Sequence, residues 1–289
     1  MSATTAPTGP RWRAPLVWRV LQGLARILTG LLARLEITGD VPAGLRHGPL
    51  ILAVNHIGTF DPIALSAATR KIGVRPRIMA TGGLFRAPIV GAAMKASGHI
   101  RVNRTRVSAD EALASAAVDD AVAALAEGSV VAGYPEGRIT LDPGLWPERG
   151  RSGMARLALI TGATVVPVAQ WGSHEVIPYA DILPNLARAV WRDIRVRPTV
   201  KVHFGTPIDL SGLDPAVRGD VQRATDRIIA ALHSELVPLR KDEPDRPAYA
   251  DPTRPSETRR SFKPDSRTPT VLDVGGDDLP GAGQPQQRP

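Results

Sequence analysis

From residue 35 to residue 236, short apolar runs alternate with helical stretches, and this rhythm constrains the fold more than any other feature of the chain. The run "LILAV", Leu50 to Val54, has no polar member, as expected of a strand buried on both faces. Further strands are expected at 35–39, 76–80, 99–102, 129–134, 164–171 and 199–205. Helices are expected from Pro62 to Thr69, over a broken stretch from Gly83 to Ala96, over 153–162 and from Val217 to Leu236. Ser108 and Glu111 form a capping box that opens another, Ala-rich helix, and Gly128 stops it. Pro167 argues that the strand at 164–171 is an edge strand or carries a bulge. The alternation predicts an α/β domain over 36–240, with a largely parallel sheet flanked by helices.

The flanks differ from this core. Residues 1–11 are rich in Thr, Pro and Gly and are expected to be disordered. Residues 241–289 hold nine prolines, many charges and few bulky apolar groups, and a disordered tail is expected there. Residues 12–35 read as an amphipathic helix with Val17, Leu21, Leu24, Leu28, Leu31 and Leu35 at spacings of three or four. Arg19, Gln22, Arg26 and Arg34 fall mainly on its other side. A membrane-spanning arrangement would place Arg26 near mid-bilayer at roughly 2.5–3.5 kcal/mol. A helix lying in the membrane interface, with its arginines toward anionic headgroups, avoids that cost.

Charge agrees with an anionic partner. The formal net charge is +8, and residues 1–240 carry 28 basic against 19 acidic side chains. That excess fits anionic lipid, a phosphorylated substrate or nucleic acid. Aromatics make up only 4% and no nucleic-acid-binding motif appears, so nucleic acid is not expected. The absence of cysteine excludes disulfides, thiolate metal sites and cysteine nucleophiles. No metal site or dinucleotide fingerprint stands out, and no bound cofactor is expected.

Active sites of open α/β sheets gather beyond the carboxyl ends of strands. Three polar clusters occupy such places. The first is "NHIGTFD", Asn55 to Asp61, directly after "LILAV". Here Asp61 can hydrogen-bond one ring nitrogen of His56 and leave the other as a base. Asp61-Pro62 also reads as an N-cap followed by Pro at the first helical position, and the spacing alone leaves both readings open. Asn55 and Thr59 are supporting candidates. The second cluster ends in Asn103-Arg104, where a guanidinium can bind phosphate in a fork. The third is "YPEGRIT", Tyr134 to Thr140. Gly137 lets a ligand approach the backbone, and Arg138 and Thr140 can donate to phosphate oxygens. Glu136 suits a ligand hydroxyl or an arginine. Arg149 and Arg151, just before a predicted helix start, are further anion-binding candidates.

Taken in order, "NHxxxxD", "GxIxVxR" (Gly98 to Arg104), "YPEG" and "VPV" (Val166 to Val168) resemble the glycerolipid acyltransferase family typified by 1-acylglycerol-3-phosphate O-acyltransferase. The resemblance covers roughly residues 35–210. It implies an α/β fold with a membrane-associating N-terminal segment, and O-acyl transfer in phospholipid biosynthesis. His56 would be the general base and Asp61 its orienting partner. Arg104, Glu136, Gly137, Arg138 and Thr140 would serve the acceptor phosphate. The donor would be an acyl-CoA or acyl-carrier protein thioester, the acceptor a lysophosphatidate-like lysophospholipid, and the location the cytoplasmic face of the cell membrane. One departure stands out: the family loop Pro-Glu-Gly-Thr-Arg-Ser reads Pro-Glu-Gly-Arg-Ile-Thr here, so the arginine is displaced by one residue. Transfer to glycerol 3-phosphate or another lysolipid, hydrolysis of an ester or thioester, and non-catalytic binding of anionic lipid or nucleic acid are the alternatives. The lack of a "GxSxG" elbow counts against a serine hydrolase.

Overall fold

A computed structural model describes residues 12–102, 110–180 and 182–255. Seven strands form one sheet: β1 (Arg34–Gly39), β2 (Leu50–Val54), β3 (Arg77–Thr81), β4 (Ile100–Val102), β5 (Val130–Gly133), β6 (Thr164–Trp171) and β7 (Thr199–Phe204). Their order is β1-β7-β6-β2-β5-β3-β4. Every neighbouring pair is parallel except β6 and β7, which run antiparallel. The expected α/β class with a mostly parallel sheet flanked by helices is what the chain adopts.

The helices are α1 (Leu16–Leu32), α2 (Asp61–Lys71), α3 (Gly82–Arg86), α4 (Pro88–Ala96), α5 (Asp110–Ala126), α6 (Gly153–Thr161), α7 (Ile182–Val196) and α8 (Asp220–Leu236). One sheet face packs on α5, α6 and α8 through Ile51, Ala121, Leu157, Ile228 and Leu232. The other packs Leu50, Leu52, Val54 and Val166 against Leu65 and Trp18. β2 is therefore wholly buried, as its unbroken apolar sequence requires.

Three details depart from the sequence reading. β6 is an interior strand, lying between β7 and β2. Pro167 pairs with Ala53 on β2 but precedes the first rung to β7, Val168–Phe204, so its missing N–H costs nothing on that side. Helix α7 was not expected. The proposed tail does not begin at 241, because residues 241–255 are held against the domain: Glu243 accepts a 2.7 Å bond from the Trp171 indole, and Asp251 a 2.6 Å bond from the Tyr179 amide. Ser108 of the capping box lies outside the described residues.

Helix α1 turns its mixed face inward. Trp18, Gln22, Thr29 and Leu32 are buried, and the Gln22 amide donates to Thr69 and to the Val74 carbonyl, both at 3.3 Å. The outward face carries Leu16, Val20, Leu24, Ile27 and Leu31. Ala33 alone separates α1 from β1. None of the described helices is long and apolar enough to cross a membrane.

Candidate active site

The site forms where β2 ends. Asn55, fully buried, does not face it. Its side chain accepts from the Gln170 amide at 2.6 Å and donates to the Gln170 carbonyl at 3.0 Å, continuing the β2–β6 ladder past the last rung. That anchor fixes the backbone from which His56 projects.

His56 Nδ1 lies 2.7 Å from Asp61 Oδ2. The same oxygen accepts from the amides of Ile57 (2.6 Å) and Gly58 (2.9 Å), and Oδ1 accepts from the Ser173 hydroxyl. Asp61 is completely buried. The sequence reading made Asp61 the helix N-cap; the structure places Phe60 there and Asp61 in the first turn. Its carboxylate folds back onto the loop instead of capping α2. With Nδ1 directed at a carboxylate, Nε2 is left for a proton acceptor's role. The imidazole stacks on the Tyr134 ring at 4.1 Å and 20°, which fixes its plane. Burial raises the Tyr134 hydroxyl's pKa, with Asp61 adding to the shift.

Gly58 permits this tight curl. A Cβ there would lie 2.9 Å from the Cα of His174, a backbone atom with no room to yield. Thr59 donates to the Ile177 and Pro178 carbonyls at 3.3 and 3.4 Å, tying the loop to the segment after β6.

The loop after β5 braces the first one. Glu136 is buried; Oε1 accepts from the His56 amide (3.0 Å) and Oε2 from the Glu148 amide (2.9 Å). Burial pushes its carboxyl up to about 8. The Thr140 amide donates to the His56 carbonyl (2.8 Å), and its hydroxyl to the Trp146 carbonyl (2.8 Å). Arg138 is engaged in a fork with the buried Glu148, at 2.7–2.9 Å. Glu136, Arg138 and Thr140, expected at the acceptor phosphate, thus bond to protein partners: Glu136 to the His56 and Glu148 amides, Arg138 to Glu148 and Thr140 to Trp146. Gly137 adopts a left-handed conformation at φ 71°, with the Arg151 stem packed over it. Arg149 and Arg151 are both exposed. Arg104 lies outside the described residues.

Sequence reasoning missed Ser173, Glu148 and Arg254. Ser173 follows β6 directly, so the rule that sites gather beyond strand ends points to it as much as to His56. Arg254 donates to the Thr140 carbonyl (2.7 Å) and to the Ile57 carbonyl. No sequence signal distinguishes it from its neighbours in a charged, proline-rich segment.

The Acyltransferase family model matches residues 34–171, which span β1 to β6. The fold is similar to the crystal structure of the 1-acyl-sn-glycerophosphate (LPA) acyltransferase PlsC from Thermotoga maritima, with TM-score 0.52 and 16% identity. That likeness covers 73% of this chain and 76% of the other. None of the curated proteins matches the chain. Residues 34–171, which build strands β1 to β6, are therefore a domain similar to the Acyltransferase family, and the His56–Asp61 pair lies within it.

Proposed function

We propose that the protein transfers a fatty acyl group from an acyl thioester, carried by CoA or acyl-carrier protein, to the hydroxyl of a lysophosphatidate-like lysophospholipid. The observation that carries this reading is the 2.7 Å contact between His56 Nδ1 and the buried Asp61, which leaves Nε2 as the base. Nε2 takes the proton of the acceptor hydroxyl as its oxygen bonds to the thioester carbonyl carbon. The C–S bond then breaks, and the departing sulfur takes the proton back from the imidazolium. Asp61 stabilises the imidazolium between these steps. Arg151, exposed over Gly137, and Arg104, expected from the sequence, hold the acceptor phosphate so that the hydroxyl meets His56.

The substrates are lipids, and the proposed place of work is an anionic membrane surface on the cytoplasmic side. Two adjacent helices support this. α1 exposes its Leu/Ile/Val stripe with Arg19 and Arg26 flanking it and carries no acidic residue. α7 lies beside it: Arg197 donates to the Gly30 carbonyl at 2.6 Å, and Val190 packs with Leu32. α7 exposes Leu186, Trp191 and Ile194, and the Arg195 guanidinium lies 3.8 Å from the Trp191 ring centroid. Apolar stripes with tryptophan and arginine suit the headgroup–acyl boundary.

Labelled acyl-CoA, offered with glycerol 3-phosphate and a panel of lysophospholipids on vesicles, tests the reaction. Acylated lysophosphatidate is the expected product. His56→Ala and Asp61→Asn are expected to abolish transfer while leaving circular dichroism unchanged. Thioester loss of equal rate with and without acceptor identifies hydrolysis and defeats the proposal.

A further inference from the structure

Residues 241–255 contain no helix or strand, yet they follow a fixed course across the molecule. Arg240, almost fully buried, starts them off by donating to the Gly144 and Pro244 carbonyls, at 2.5 and 3.0 Å. Glu243 takes the Trp171 indole N–H at 2.7 Å, and the Tyr249 hydroxyl takes a 2.8 Å bond from Arg192. Asp251 and Thr253 then accept from the Tyr179 and Ala180 amides at 2.6 and 2.9 Å. These contacts suffice to hold the segment. Its last charged residue does something different.

Arg254 places one guanidinium nitrogen on the Thr140 carbonyl and another on the Ile57 carbonyl, with its Cζ 5.1 Å from the Tyr179 ring centroid. Ile57 belongs to the loop that carries His56 and Asp61. Thr140 belongs to the loop that carries Tyr134, Gly137 and, further on, Arg151. Both residues are buried, so each carbonyl needs a donor from within the protein. A guanidinium is suited to this because its fork delivers two rigidly spaced N–H donors. The two loops are also joined by the Thr140 amide on the His56 carbonyl, the His56 amide on Glu136 and the stacking of His56 on Tyr134.

We propose that Arg254 is a positioning residue for acyl transfer: it clamps the base-bearing loop to the acceptor-facing loop and fixes the distance between Nε2 and the bound hydroxyl. It does so from outside the matched domain, which ends at residue 171. The inference rests on the acyl-transfer reading for its kinetic consequence, and on the geometry alone for the clamp.

The full-length chain is compared with Arg254→Ala and Arg254→Lys. Leu232→Ala, a truncation in the α8 core, serves as a destabilised control. Arg254→Ala is expected to lower kcat about 10- to 100-fold, the usual effect of a small misplacement of reacting groups. Michaelis constants should change less. Lysine reaches only one carbonyl and should recover part of the rate. Millimolar guanidinium should partly rescue Arg254→Ala and leave Leu232→Ala unaffected. Amide hydrogen exchange at residues 56–61 and 134–142 should quicken in Arg254→Ala. A kcat within twofold of wild type, or a loss that guanidinium does not relieve, overturns the positioning role. Unchanged exchange in both loops overturns the clamp, even if the wild type transfers no acyl group and the functional reading has failed. His56→Ala inactive beside a fully active Arg254→Ala means that the clamp alone is wrong.

Discussion

Asp61 divides its two oxygens among His56, Ile57, Gly58 and Ser173, and each of these bonds narrows where the imidazole can point. The two amides hold the loop, and Ser173 holds the carboxylate from behind. Ser173→Ala should therefore leave the base in place but loosen its aim. We expect kcat to fall roughly tenfold, the worth of one hydrogen bond, with Michaelis constants unchanged in a steady-state transfer assay. The His56–Asp61 pairing was legible because both members sit within one short loop. Ser173 was not, because its partner lies far back in the chain. Glu136, Arg138 and Thr140 show the converse problem. A sequence displays their donors and acceptors but not the partners they meet in the fold, such as His56 for Glu136 and Glu148 for Arg138.

At the scale of elements, the two loops are joined by a buried acid. In the unfolded chain Glu136 titrates near its ordinary 4.5, whereas burial raises it to about 8 in the fold. Between these values the folded protein holds a proton that the unfolded chain has released. Stability from this group thus falls as pH rises from 4.5 toward 8 and levels off above. Glu136→Gln cannot titrate, so its urea midpoint should vary less over that window than the wild type's. The helix between β6 and β7 was the element least visible in the sequence. "ILPNLARAVWRDIRV" has Pro184 near its start, which reads as a breaker, although proline fits a first turn. β6 was found at its true limits, but Pro167 obscured its interior position because the ladder to β7 starts one residue later.

The whole molecule presents α1 and α7 together on one side. Leu24→Asn with Ile27→Asn in α1, or Trp191→Ala with Ile194→Asn in α7, should weaken sedimentation with anionic vesicles. Wild-type binding should decline with added salt, since arginines contribute through attraction to the headgroups. Binding that is equal on neutral and anionic vesicles would contradict the charge part of the proposal. The parallel sheet and its polar strand ends were readable from the alternation of apolar runs and helices. The course of residues 241–255 was not, because it depends on distant partners such as Trp171 and Arg192.

The single residue between α1 and β1 carries a mechanical consequence. Ala33 is fully buried, and Arg197 pins the preceding turn at Gly30. There is no tether here and no swivel. In the proposed seating through α1, the domain is held at one height and one tilt, and His56, the proposed base, keeps a fixed distance from the surface.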